Sequence, residues 1–212
     1  MNISKESVMS PKGDITLYTL TNKSGAQVVL SSLGAGINKI IVPDKDGNMA
    51  DVILGYENPC DYDNDGPCSG KTPGRYANRI KHGKIIVNGK EYSLPINNGP
   101  NHLHGGPEGF QNQIWDSEAE GNSVVFTRTS PDGEMGYPGE LKAKVTYTWD
   151  DDNRLTIDYE AITDATTYVN LTNHAYFNLK GHNKGNVLDQ VLQLNCSQYL
   201  PTDPSEAPLG NI

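Results

Sequence analysis

The sequence predicts an all-β fold, and three observations carry that prediction. Apolar and polar residues alternate with a period of two, most cleanly from Leu141 to Trp149, the pattern that sends successive side chains to opposite faces of a strand. The chain holds 22 glycines and 13 prolines in 212 residues, and punctuation at that density leaves little room for long helices. Nowhere does an apolar period near 3.6 persist through three helical turns.

Taken in order, the first strand candidates are Ile15–Leu20, Gln27–Ser31, Ile37–Val42 and Val52–Leu54. Val87-Asn88-Gly89-Lys90 marks a tight hairpin, because Asn-Gly readily takes the positive φ values of a type I′ turn. Ser123–Arg128 follows. In Leu141–Trp149, Leu141, Ala143, Val145, Tyr147 and Trp149 share one face and Lys142, Lys144, Thr146 and Thr148 the other. After the polar turn Asp150-Asp151-Asp152-Asn153, Leu155, Ile157, Tyr159 and Ala161 alternate again, which predicts an antiparallel hairpin with one buried and one wet face. Gln190–Leu194 is the last candidate. Two long irregular stretches, Glu57–Tyr76 and Pro95–Gln113, interrupt the strands, and loops of that length in a compact β domain are more often functional than ornamental. No linker-like stretch divides the chain, so residues 1–212 are expected to form a single domain.

Apolar residues make up 35% of the chain, enough for a core and more than a disordered chain would carry. The net charge of −9 argues against nucleic-acid binding, since an acidic surface repels a phosphate backbone. No apolar run approaches the roughly 18 residues of a spanning helix, so no membrane role is expected. The N-terminus lacks the apolar segment of a secretory signal. Three cysteines, Cys60, Cys68 and Cys196, fit reduced thiols better than a disulfide framework. The expected compartment is cytoplasmic.

The chemistry-bearing candidates are histidines set among amides. Asn101-His102-Leu103-His104-Gly105-Gly106 places two imidazoles at i and i+2, which in an extended segment point to one side. His174 lies within Asn170-Leu171-Thr172-Asn173-His174-Ala175-Tyr176-Phe177-Asn178, and such amide-rich clusters suit sugar hydroxyls because an amide both donates and accepts. A His-x-His pair also suits a metal, but no Asp, Glu or Cys stands near either group to complete a site. The glycines after His104 read equally well as a turn needing positive φ, and Arg75 and Arg79 as surface charges. No nucleophilic serine or cysteine is indicated.

Gly74-Arg75-Tyr76-Ala77-Asn78-Arg79-Ile80, Asn101-His102-Leu103-His104-Gly105-Gly106, Gly136-Tyr137-Pro138-Gly139 and Thr172-Asn173-His174-Ala175-Tyr176-Phe177-Asn178-Leu179 stand in the order seen in aldose 1-epimerases, the galactose mutarotases. Ser31-Ser32-Leu33-Gly34-Ala35 and Asp51-Val52-Ile53-Leu54-Gly55-Tyr56 resemble that family's opening. The resemblance implies a β-supersandwich that interconverts the α and β anomers of a free aldohexose by general acid–base chemistry, with no cofactor or metal. It makes His174 the general acid at the ring oxygen and His104 a second active-site histidine that polarises the same region. It makes Arg79 and Asn78 substrate-binding residues, and His102 structural. Ala175 stands where the family often has serine, a small departure.

The larger departure is an absence. The family's general base is a late glutamate, and a substrate-binding aspartate lies in the same final third. Nothing after Leu200-Pro201-Thr202-Asp203-Pro204-Ser205-Glu206-Ala207-Pro208-Leu209-Gly210 matches them, and the resemblance gives Glu206, in a Pro-flanked loop, no catalytic part. The expectation is therefore a supersandwich incomplete at its C-terminus, inactive alone and inclined to aggregate. The alternatives are a non-catalytic sugar-binding module, or an epimerase of phosphorylated hexose, which the negative charge disfavours.

Overall fold

The computed structural model describes residues 1–63 and 65–210. Its first sheet is antiparallel and sequential: β1 (Asn2–Ser10), β2 (Gly13–Thr21), β3 (Gln27–Ser31), β4 (Gly36–Pro43) and β5 (Met49–Asp51). Four short strands follow: β6 (Arg79–Ile80), β7 (Lys84–Val87), β8 (Lys90–Ser93) and β9 (His102–Leu103), with β6 paired to β9 and β7 to β8. The second large sheet is again sequential: β10 (Asp116–Glu120), β11 (Ser123–Ser130), β12 (Leu141–Trp149) and β13 (Leu155–Thr163).

The alternating pattern explains how these sheets meet. Leu141, Ala143, Val145, Tyr147 and Trp149 on β12 are all buried, and with Val124 and Phe126 they pack onto Tyr18, Leu20, Val28, Leu30, Ile37 and Ile40 of the first sheet. Two sheets with their apolar faces together are a sandwich. β2 is covered on both faces: Tyr18 and Leu20 enter the main core, while Ile15 and Leu17 join Leu33 and Tyr62 in a second cluster. Polar bonds tie the layers together as well. The buried Tyr147 hydroxyl donates to Ala35 O at 2.8 Å, and burial pushes its pKa up to about 12. The Asn22 amide donates to Asp150 O at 3.0 Å and Asn153 Oδ1 at 2.6 Å.

The type I′ turn is present: Asn88 and Gly89 have φ of 51° and 79°, and Val87 pairs with Lys90. The structure departs from the sequence prediction in several places. The paired strand near residue 52 is β5, three residues earlier than Val52–Leu54, where Ile53 makes only an isolated bridge to Phe177. Gln190–Leu194 is not a strand. Its apolar residues are exposed, Val191 at 95%, because no strand lies beside them among the described residues, and a strand needs a paired neighbour. β1 and β10 escaped the pattern because they are largely polar and exposed. On β13, Leu155, Ile157 and Tyr159 are only half-buried and Ala161 is exposed, because β13 is the sheet's edge. Beside that edge a cleft of about 440 Å³ opens between the sheets, lined by Ile37, Ile40, Trp149, Leu155, Ile157 and Phe177 among others.

Candidate functional site

β6 and β9 bring the first two motifs together. Arg79 pairs with Leu103 and Ile80 with His102, and just beyond them Asn78 O accepts from His104 N at 3.1 Å. The chain then turns: His104, Gly105 and Gly106 have φ of 53°, 79° and 94°. Gly105 is obligatory for two reasons, its left-handed φ and the overlap a Cβ would make with the Gly74 carbonyl.

The turn separates the two histidines of the motif, which the extended reading had pointing to one side. His102 is fully buried, its Nδ1 bonded to Pro95 O and its Nε2 to the Tyr137 hydroxyl, both at 2.7 Å. A carbonyl only accepts, so Nδ1 carries the proton and Nε2 accepts from tyrosine. His104 instead faces His174. The left-handed backbone at His104 is what breaks the same-side rule, which holds only for extended chain.

His174 is held by a segment that runs as irregular chain between two others. On one side Asn170 N donates to Arg75 O, Ala77 N to Asn170 O, His174 N to Lys71 O and Gly70 N to His174 O, at 2.8–3.1 Å. On the other side Leu54 N donates to Tyr176 O and Asn178 N to Val52 O, both at 2.8 Å. The Asn173 amide donates to Gly70 O at 2.7 Å and to the Tyr147 hydroxyl at 3.2 Å, so the site rests on the core. Beneath it Lys71 pairs with Asp65, both side chains 1% exposed, and donates to Tyr62 O at 2.6 Å.

The outcome is a ring cluster. The His104 and His174 centroids lie 5.1 Å apart and almost perpendicular, at 88°, and the Tyr176 ring stands 5.1 Å from His174, tilted at 51°. Asn78 N donates to His104 Nδ1 at 3.0 Å. Burial, then the neighbouring His174 and Arg79, lower the His104 pKa to about 4, so the ring is neutral near pH 7. A neutral imidazole that accepts at Nδ1 carries its proton on Nε2. His104 therefore presents a fixed N–H donor. Arg79 lies within electrostatic reach of it, its Nε donating to Asn98 Oδ1 at 2.9 Å and its Nη2 paired with Glu206. Asn78 Oδ1 accepts from Arg79 N at 2.9 Å.

The fold thus brings His104, His174, Arg79 and Asn78 together and leaves His102 outside. Arg75 is not a surface charge: it is 2% exposed, and its guanidinium donates to Pro138 O, Gly139 O, Ser130 O, Ser130 Oγ and Pro131 O. The Gly136-Tyr137-Pro138-Gly139 motif supplies two of those acceptors and the Tyr137 ring. Sequence reasoning missed Asn98 and the buried Lys71–Asp65 pair, and it gave Glu206 no part. A lone charge in a Gly/Pro-rich loop carries no periodic signal that could have found them. Among the described residues, no three His, Cys, Asp or Glu side chains converge as metal ligands would, and no helix is long and apolar enough to cross a membrane.

Known proteins resemble the chain in sequence and in fold. The family model described as aldose 1-epimerase matches residues 16–212. Galactose mutarotase of Sus scrofa is 45% identical over 186 residues, 88% of this chain and 54% of that protein. Aldose 1-epimerase of Escherichia coli (strain K12) is 38% identical over 202 residues, 94% of this chain and 58% of that protein. The chain therefore spans little more than half the length of the curated relatives it matches. The crystal structure of an aldose epimerase homologue from C. elegans superposes with a TM-score of 0.83 at 32% identity, covering 98% of this chain and 61% of that one. Galactose 1-epimerase from Lactobacillus acidophilus NCFM gives 0.72 at 34% identity, over 84% of this chain and 53% of that one. With three of the four motifs meeting at the His104–His174 ring pair on a mutarotase-like sandwich, and with a family match over nearly all its residues, the chain belongs to the aldose 1-epimerase family.

Proposed function

We propose that residues 1–212 carry, as one domain, the histidine-and-arginine part of a site that interconverts the α and β anomers of a free aldohexose such as galactose or glucose, in the cytoplasm. The observation that supports this best is the perpendicular His104–His174 pair at 5.1 Å, one ring neutral with a fixed Nε2–H, beside an anchored arginine.

Ring opening removes the proton from the C1 hydroxyl, forms the C1 carbonyl, breaks the bond from C1 to the ring oxygen and delivers a proton to that oxygen. In this reading His174 gives that proton, and His104 Nε2–H bonds the same region and holds it in line. Arg79 and Asn78 bind the neighbouring hydroxyls. Rotation about C1–C2 and the reverse proton transfers close the other anomer. A general acid contributes roughly 10²–10⁴-fold. The proton from C1 goes to a general base which, by the family resemblance, lies in the part of the relatives that this chain does not match. The scheme requires no cofactor.

Polarimetry on freshly dissolved α-D-galactose and α-D-glucose tests this, on the chain joined to the segment of a relative that it does not match. A catalyst speeds the approach to equilibrium rotation in proportion to protein concentration. One observation favours a second reading, a sugar-binding module without turnover: among the described residues tied to His104, His174 or Arg79 by hydrogen bonds or ion pairs, Glu206 supplies the one carboxylate, and it is paired with arginine. Hexose binding with an uncatalysed rate of rotation even in the joined protein decides for that module. Neither binding nor acceleration rejects the sugar site.

A further inference from the structure

Glu206 reaches the site from a loop that folds on contacts of its own. Thr202 and Pro208 form a bridge, and Asp203 N donates to Ala207 O at 2.9 Å. Asp203 accepts from Ser205 N, Ser205 Oγ and Ala207 N and pairs with Lys81 at 2.8 Å. The Asn101 amide, from the motif that carries His104, donates to Ser205 O at 3.1 Å and Ser205 Oγ at 2.9 Å. Ala207 is fully buried. None of these contacts uses the Glu206 side chain.

At the tip of this loop Glu206 has a φ of 63°, a left-handed conformation that a non-glycine residue adopts at a cost. Its carboxylate pairs with Arg79 although 68% of the side chain is exposed. An ion pair so exposed adds little stability, so folding alone explains neither the strain nor the pair. What the pair does is orient a guanidinium. Asn98 takes Nε and Glu206 takes Nη2, while the remaining N–H groups of the fork have no partner among the described residues. A planar fork held at two points presents its free donors in one direction. The carboxylate also offsets a cation that bears on His104.

Resting on the proposed sugar site, we propose that Glu206 is a positioning residue: with Asn98 it clamps the Arg79 guanidinium in the pose that meets the sugar hydroxyls. The test uses the full chain and its Glu206→Ala, Glu206→Gln and Glu206→Asp variants. The readouts are the Arg79 Nε–H signal in nitrogen-15 NMR and the Kd for D-galactose by titration. In the parent chain the Nε–H signal is sharp and slow to exchange. Glu206→Ala broadens it and raises Kd by roughly five- to tenfold, the loss of one charge-assisted bond. Glu206→Gln lies between, and Glu206→Asp returns Kd to within about twofold. The Ser205 and Ala207 amide signals report whether the loop stays docked, and where Glu206→Ala releases it, the near-isosteric Glu206→Gln decides. Galactose binding at parental affinity in Glu206→Ala, with an unchanged Nε–H signal, overturns the role of Glu206. Absence of galactose binding in the parent chain overturns instead the sugar site on which that role rests.

Discussion

At His104 the backbone turns left-handed, and its ring joins His174, whereas His102, two residues earlier, is locked between Pro95 and Tyr137. Substitution should separate the two uses. In a protein that joins this chain to the segment of a relative that it does not match, His174→Ala is expected to lose roughly 10²–10⁴-fold in kcat, as for removal of a general acid, with little change in unfolding midpoint. His102→Ala strands the Tyr137 hydroxyl and the Pro95 carbonyl in the interior, and about 2–4 kcal/mol of stability should go with it. Polarimetry and urea unfolding on both variants check this, and equal activity losses at equal stability would reject the assignment. The His104 environment also predicts a pH dependence. Its folded pKa lies near 4, below the ordinary 6.5. At pH 7 the folded ring is neutral and the unfolded one mostly so, and on acidification the unfolded chain takes up the proton first. The stability linked to this ring is therefore complete above about pH 6.5 and is lost as pH falls towards 4, on the order of 1–2 kcal/mol by pH 5. Burial shifts His102 in the same direction. Urea midpoints at pH 7, 6 and 5 should fall, and His104→Gln should flatten the fall; an unaltered slope in that variant counts against a buried neutral His104.

Among the elements, two turns with positive-φ glycines show how differently one conformation is used. Gly89, in the β7–β8 hairpin, has φ of 79° and open space around its α-carbon. Gly105, with the same φ, lies against the Gly74 carbonyl. Gly89→Ala therefore meets only the backbone cost of a left-handed alanine, about 1–2 kcal/mol. Gly105→Ala meets that cost and a backbone clash that must move either Gly74 or the His104 turn. Thermal unfolding should show the second variant as much the less stable, and sugar binding should fail in it alone. Similar midpoints for the two would mean that the contact between the motifs is looser than described.

Across the whole molecule the uneven distribution of apolar surface stands out. The main core is buried, yet Leu188, Val191, Leu192 and Tyr199 are each at least 80% exposed, and the cleft between the sheets beside β13 lies open. Apolar patches of that kind associate, and an uncovered edge strand offers unpaired backbone groups to another chain. The chain as it stands is expected to sediment faster than a monomer at tens of micromolar and to bind a dye such as ANS. Replacing Leu188 and Leu192 by serine should reduce both effects without moving the unfolding midpoint, because neither side chain enters the core. A chain that remains monomeric and dye-free across that range removes the prediction.

The sequence alone determined the elements that a local pattern marks. Gln27–Ser31 spans the same residues in both readings, the β12–β13 hairpin lies where its pattern placed it, and Asn88-Gly89 makes its turn, because each depends on neighbours close in the chain. It also marked His104, His174, Arg79 and Asn78, since their motifs are contiguous. Tertiary structure decided the rest. Whether an apolar run such as Val191-Leu192 becomes a strand depends on a partner that no local pattern supplies. Whether Arg75 faces water or five acceptors depends on a segment some sixty residues away. Only the assembled fold sets His104 against His174 and Glu206 against Arg79, because a ring contact or an ion pair is a matter of distance in space, and the chain encodes that distance only through its packing.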